Sequence, residues 1–380
     1  MTQQSSLTII HLVRAPIGGI FRHIADLAVA QSRHGHRVGI ICDELAGGPY
    51  EAAHIERLRQ NLPLGVRRLA MPRAVGPADV PAFMRVRKVL VDLNPDVLHC
   101  HGSKGGLYGR CVKGLSRLGG LSRDTAVFYA PHGGSLHYAK SSREGRVYFT
   151  IERFLERWTS ALIHVSAYEQ RTYVDKVGTP RTKATTIHNG ITDSELNRIA
   201  PEEGARDFLF IGMLRDLKGV DLFINAVARL NEISPTTAWI VGDGAEDDKA
   251  RYREMVAQAG LESKVGFKPS TPARTAFAMA RAIVVPSRAE SLPYIVLEAA
   301  GAAMPMICTK VGGIGEIFGD RSQALVEPDL SEIVRAMATL KQADFHSPDT
   351  DYLHDRVSRE FSIRVMEQRV MELYRASLTG

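Results

Sequence analysis

The sequence predicts an α/β protein made of two doubly wound halves, and three observations carry that prediction. Short β-rich runs alternate with amphipathic helical patterns along nearly the whole chain, the signature of parallel sheets covered by helices on both faces. The alternation is interrupted once, by a polar stretch from Thr192 to Arg206 that reads as an interdomain linker, and then restarts. At 380 residues the chain is long enough for two domains, each with its own core.

In the first half, strand patterns fall at Leu7–Val13, Arg37–Cys42, Val66–Met71, Val97–His101, Ala126–Ala130, Ala161–Ser166 and Thr185–His188. Helical patterns at Gly19–Arg33, Val80–Leu93 and Glu144–Thr159 lie between them. In the second half, strands are expected at Phe208–Ile211, Ala238–Val241, Val265–Phe267, Ile283–Val285 and Pro305–Cys308. The expected domains are 1–195 and 205–360. A final helical pattern at Ile363–Leu378 has no strand after it, so the segment 361–380 is expected to pack back on the first domain. Two such halves predict a cleft lined by the carboxyl ends of both sets of strands.

Composition is that of a globular protein, with 44% hydrophobic and 24% charged residues. No apolar run of about twenty residues predicts a membrane span, and the polar start of the chain does not read as a signal peptide. Cys42, Cys100, Cys111 and Cys308 are scattered without a Cys-x-x-Cys pair, so they read as reduced thiols of a cytoplasmic protein. The net charge of +6 is uneven: residues 101–160 hold ten Lys/Arg against four acids. That excess is either a set of solvated helix faces or a surface for anionic lipid headgroups or a phosphate-bearing acceptor, which would make the protein peripheral at the inner membrane face. No basic stripe is interleaved with aromatics, which argues against nucleic acid.

The most informative motif is Glu290 and Glu298, with seven residues between them, after the apolar run Ala282–Pro286. Ser291 reads as a helix cap and Pro293 as a first-turn residue, which places Glu290 on the entry loop and Glu298 about one and a half turns into the helix. A helix N-terminus binds phosphate, whereas a carboxylate beside it must address hydroxyls. Hydroxyls next to a diphosphate describe a nucleotide sugar. Arg215 and Lys218, followed by Gly219, run off a strand into a helix. A bidentate fork and a point charge there suit a departing diphosphate.

Other positions leave alternatives open. Gly18 and Gly19 end the first strand; they either bring backbone close to a phosphate or acceptor, or make a tight turn. Gly242 and Asp243 form another strand-end turn, either beside a base or ribose or simply a turn, the latter favoured for Asp243. His132, flanked by Gly133 and Gly134 after a strand, reads as a cleft residue open to substrate. His101 follows its strand in the same way, while His99 reads as a core residue. The pair is expected on opposite strand faces, and no metal site is expected. No Asp-x-Asp occupies a strand end: Asp349 and Asp351 lie in a polar segment, and Glu246–Asp248 open a helix.

Together these residues resemble the retaining glycosyltransferases of the GT4 type, which have the two-Rossmann GT-B fold. The matching positions are Gly18, Gly19 and His23; His132 and Gly133; Asn189 and Gly190; Gly212, Arg215, Lys218 and Gly219; Gly242 and Gly244; Glu290 and Glu298; and Gly312, Gly313 and Glu316. The resemblance implies a first domain that binds the acceptor and a second that binds the nucleotide sugar. It implies that Arg215 and Lys218 hold the diphosphate and that Glu298 takes the ribose. Glu290, with the N–H groups of Ser291 and Leu292, takes the donor sugar. His132 would stand at the reaction centre and Gly19 beside the diphosphate. It further implies transfer with retention and without metal or other cofactor, from a UDP- or GDP-type donor to a glycan or glycolipid hydroxyl. Pro293 departs from the family, which often has glycine there, and is expected to take one N–H from the phosphate nest.

Three other readings stand beside this one. A nucleotide-sugar epimerase or a sugar phosphorylase shares the architecture, and an NAD-dependent oxidoreductase shares the doubly wound domain but lacks its Gly-x-Gly-x-x-Gly here. A non-catalytic nucleotide-sugar-binding protein would bind donor without turnover.

Overall fold

The computed structural model describes residues 5–319 and 324–378. The chain divides into two compact units, 1–189 with 363–380 and 190–362. Among the described residues, no helix is long and apolar enough to cross a membrane.

The first unit is built on seven parallel strands: β1 (Thr8–Val13), β2 (Arg37–Asp43), β3 (Val66–Leu69), β4 (Val97–His101), β5 (Ala126–Ala130), β6 (Ala161–His164) and β7 (Lys183–Thr186). Their spatial order is β3-β2-β1-β4-β5-β6-β7, that of a dinucleotide-fold sheet with one strand added. The helices are α1 (Gly18–Arg33), α2 (Pro49–Asn61), α3 (Asp79–Leu93), α4 (Gly102–Gly114), α5 (Arg143–Leu155) and α6 (Ala167–Lys176). Alternate residues of each strand feed different cores. Ile9, Val13, Val38, Val97 and Phe128 join one, while Ile10, Leu12, Leu98, Val127 and Tyr129 join the other. Burial on both faces is what makes these strands read as continuous apolar runs.

The second unit repeats the plan with β8 (Arg206–Ile211), β9 (Ala238–Val241), β10 (Val265–Lys268), β11 (Ala280–Val285), β12 (Met306–Thr309) and β13 (Leu325–Val326). The order is β10-β9-β8-β11-β12-β13, all parallel. Its helices are α7 (Val220–Asn231), α8 (Glu246–Gln258), α9 (Ala273–Ala278), α10 (Tyr294–Gly301), α11 (Ile314–Phe318), α12 (Leu330–Gln342) and α13 (Asp349–Glu360). The short β13 carries too few residues for a sequence pattern. The stretch expected as a linker is fastened to this unit instead: Ile199 N–H donates to Ala302 O at 3.0 Å, and Glu202 N–H to Ala278 O at 2.8 Å.

The last helix, α14 (Ile363–Leu378), belongs to the first unit. Its Met366, Val370, Met371 and Tyr374 join the core that holds Phe21, Ile24 and Phe128. Gln31 of α1 donates to Met371 Sδ at 3.6 Å.

Candidate active site

In the second unit the strand ends and their following turns are tied together. Gly212 N–H donates to Val241 O at 3.0 Å, and Leu214 N–H to Asp243 O at 2.8 Å, which joins the turn after β8 to the turn after β9. Asp243 is itself spent on structure: its carboxylate accepts from Gly244 N–H at 2.9 Å and lies 3.0 Å from Lys249 Nζ. The Lys249 bond, then the Gly244 N–H, hold its pKa below the usual carboxylate value.

Arg215, exposed and extended, precedes a 3-10 turn, Asp216–Lys218, closed by Gly219 at φ 70°. The left-handed glycine is needed twice over, because a Cβ there would fall 2.0 Å from the Pro286 carbonyl oxygen. This close approach brings Lys218 to the loop after β11. Its Nζ donates to Glu290 Oε1 at 2.5 Å, and Ser287 Oγ donates to the same oxygen at 2.8 Å. Thr309 at the end of β12 holds Ser287 in turn, its hydroxyl donating to Ser287 O at 2.5 Å. Gly312, at φ 60°, packs directly under Glu290: a Cβ there would overlap the Glu290 carbonyl oxygen at 1.6 Å. Lys218, Glu290 and Gly312 are therefore one packed constellation.

The helix after this loop starts later than expected. α10 begins at Tyr294, and Pro293, not Ser291, occupies the capping position, with no side-chain cap bond. Proline at this position has no N–H of its own to offer, and Val296 N–H of the first turn already donates to Pro293 O at 3.3 Å. Leu292 and Pro293 are buried, Ser291 is half-buried, and Glu298 is half-buried one turn into α10.

In the first unit the expected histidines meet, and in larger number. His99 and His101 were expected on opposite faces; their ring centroids lie 3.9 Å apart, because residues i and i+2 of a strand share a face. Parallel pairing sets His11 of β1 beside His99 of β4. His11 Nε2 meets Gln31 Oε1 at 2.9 Å, His11 Nδ1 meets His101 Nε2 at 3.0 Å, and His101 Nδ1 meets His132 Nε2 at 3.0 Å. His23 of α1 places Nδ1 3.0 Å from Asn189 Oδ1, and its ring lies 4.8 Å from that of His132. Tyr374 of α14 bonds His99 Nδ1 at 2.7 Å. Burial holds all five imidazoles below their ordinary pKa, His11 and His23 at about 4.

His132 has φ 52°, a left-handed conformation rare for a side-chain-bearing residue, and Gly133 follows at φ 78°. Glu169 pins this turn, accepting from Gly133 N–H with one oxygen and from Val165 N–H, at 3.0 Å, with the other. Gly18, also left-handed at φ 64°, opens α1, and both Gly18 and Gly19 are exposed. Two groups of imidazoles could converge on a metal ion, His11 with His99 and His101, and His23 with His101 and His132. Both groups need His101, whose two ring nitrogens are already engaged by His11 and His132.

Sequence reading missed His11, Gln31, Glu169 and the Arg110–Glu152 pair beneath the His132 turn. Arg110, counted above among basic surface residues, is wholly buried: it donates to Glu152 at 2.6 Å and stacks 3.7 Å over Tyr129. The available signal was polarity inside apolar runs, as at His11 between Ile10 and Leu12.

Two parallel sheets of Rossmann order, each with its chemistry-bearing residues on the turns after the strands, define a GT-B-class protein. Residues 17–195 match the model of Glycosyltransferase Family 4, and residues 205–342 that of Glycosyl transferases group 1. The chain belongs to the GT4-type glycosyltransferases. It is 26% identical over 349 residues to glycogen synthase of Mycobacterium tuberculosis (strain ATCC 25618 / H37Rv), with 85% of this chain and 82% of that protein covered. The structure of Anabaena Alr3699/HepE in complex with UDP and glucose is similar with a TM-score of 0.79 at 17% identity, over 96% of this chain and 98% of that one. Sucrose-phosphate synthase from Thermosynechococcus elongatus is similar with a TM-score of 0.78 at 17% identity, over 97% and 98%. Membership in this family sets aside the oxidoreductase reading.

Proposed function

We propose that this glycosyltransferase moves a hexose, with retention of configuration, from a UDP- or GDP-type sugar to a hydroxyl of a lipid-linked or polysaccharide glycan intermediate. The observation that carries the reading is the Lys218–Glu290 pair, half-buried and fixed by Ser287, Gly219 and Gly312. A cation and a carboxylate locked together serve a ligand that has a phosphate and hydroxyls side by side. Glycogen synthase and the UDP and glucose complex of HepE support a nucleotide-sugar donor.

In this reading Arg215 and Lys218 neutralise the departing diphosphate, with Gly18 and Gly19 of the first unit giving backbone N–H groups. Glu298 holds the ribose, and Gly242 and Asp243 border the base side. Glu290, with Ser291, Leu292 and Pro293 of its loop, receives the sugar, and His132 lies by the sugar at the reaction centre. The acceptor oxygen bonds to the anomeric carbon on the face the diphosphate leaves, and the departing phosphate oxygen takes the acceptor's proton. Electrostatic stabilisation and positioning then supply the catalysis. Metal independence rests on the acids themselves: Asp349 and Asp351 sit in the first turn of α13, and Asp351 pairs with Arg198 at 2.6 Å.

The protein works at the inner membrane face in this reading. Val147, Ile151 and Phe154 form an exposed row on α5, beside exposed Arg143, Arg146 and Arg157. The deciding experiment incubates the protein with UDP- and GDP-sugars, an acceptor glycolipid and excess EDTA, and determines the anomeric configuration of the product by NMR. Retained configuration and release of one nucleoside diphosphate per transfer are expected. An inverted product, dependence on added metal, or free sugar phosphate as product overturns the reading.

A further inference from the structure

The histidines of the first unit form a directed chain that ends at His132, and its direction follows from its inner end. The Gln31 side chain turns its nitrogen to Met371 Sδ, which leaves its carbonyl oxygen, a pure acceptor, facing His11 Nε2 at 2.9 Å. His11 must carry its proton on Nε2, so its Nδ1 has a lone pair. His101 then donates from Nε2 to that lone pair and keeps Nδ1 as an acceptor. His132 donates from Nε2 to His101 Nδ1, each of these contacts being 3.0 Å. The one ring nitrogen left on His132 is Nδ1. It makes no hydrogen bond among the described residues, and the residue is partly exposed.

His11 and His101 have to be neutral for the chain to close, since an imidazolium has no acceptor nitrogen. His132 only donates, and it is burial, then the nearby His23, that holds its pKa well below the ordinary value. The surroundings enforce neutrality. His11, His99 and His101 are fully buried, and among the described residues no carboxylate bonds to His11, His23, His99, His101 or His132. An ion shared by His23, His101 and His132 would have to break the His101–His132 bond, because both nitrogens of His101 are spent.

We propose that Gln31, His11 and His101 are positioning residues that fix the proton of His132 on Nε2, leaving Nδ1 as a neutral acceptor for a donor-sugar hydroxyl. The proposal rests on the reading of His132 as a donor-sugar residue. It has a consequence for substrate class. A neutral lone pair welcomes a hydroxyl and repels a carboxylate, so nucleotide hexoses are donors and nucleotide hexuronates are poor ones.

The test uses the full chain labelled with nitrogen-15 at histidine and long-range proton–nitrogen correlation spectra, with His132 assigned from His132→Ala. The wild-type spectrum is expected to show His132 as a single Nε2–H tautomer, a result that needs no variant to fold. Gln31→Leu is expected to mix the His132 tautomers and lower kcat/KM for a UDP- or GDP-hexose by about tenfold, at unchanged circular dichroism. A wild-type His132 protonated on Nδ1, or present as a mixture, overturns the chain's direction. Retention of one zinc ion per chain after incubation with zinc and desalting also overturns it. If the tautomer is as expected but His132→Ala leaves the donor KM unchanged, it is the sugar assignment of His132 that falls, and the acceptor role with it.

Discussion

Lys218 and Glu290 hold each other at 2.5 Å, so under the proposed function a diphosphate at Lys218 has to share it with the carboxylate. Lys218→Ala is expected to lower kcat/KM by about 10²–10³-fold, the size of one lost transition-state donor. Glu290→Gln keeps the shape and the Ser287 bond but loses the charge that orients the lysine. Because the two touch, the double variant is expected to fall well short of the product of the single losses, as steady-state kinetics on all four proteins will read. Gly312 is the residue on which this arrangement depends. Gly312→Ala places a methyl inside the Glu290 carbonyl and meets φ 60°, so a loss of about 1–3 kcal/mol or more in urea unfolding is expected, with donor KM raised in the same variant.

At the scale of elements, α5 faces two ways. Its inner side carries Glu152 to the buried Arg110, and removing one partner of such a pair strands the other charge. Arg110→Leu is expected to cost about 3–5 kcal/mol in denaturant unfolding, more than the double variant Arg110→Leu with Glu152→Leu. Its outer side carries the Val147, Ile151 and Phe154 row. Ile151→Glu with Phe154→Glu is expected to cut sedimentation with phosphatidylglycerol vesicles about tenfold while transfer to a soluble acceptor persists. The sheets of both units were legible in the chain because most of their strands are runs of apolar residues between turn residues; the edge strands β3 and β7 are more polar, and the two-residue β13 is too short to show a pattern. The start of α10 was not: Ser291 and Pro293 both suit a helix start, and side-chain chemistry alone does not choose between them. The parity of His99 and His101 was legible and was misread, since period 2 sends alternate residues to one face. His11 and Gln31 lie too far apart in the chain for spacing to join them. It is the β1–β4 pairing and the packing of α1 that bring them together.

For the molecule as a whole, the five neutral imidazoles tie stability to acidity. His11 and His23 hold their folded pKa at about 4 against about 6.5 when unfolded. The native state thus refuses protons that the unfolded chain binds. Their neutral burial is fully tolerated above about pH 6.5, and stability falls as pH drops from there toward 4, by up to about 1.4 kcal/mol per pH unit for each histidine. Urea midpoints measured from pH 8 down to 4.5 are expected to decline in that window, and His23→Gln should flatten the decline. The closing helix has a different consequence, one of timing. The core face that takes Met366, Val370 and Met371, each worth about 1.5–3 kcal/mol when buried, is built from strands near the start of the chain. During synthesis, β1 through β7 emerge long before α14, and the whole second unit is made in between. Until residue 378 has left the ribosome, Phe128 and His99 have no Tyr374 to cover them. The first unit to be translated is therefore the last to receive all of its core.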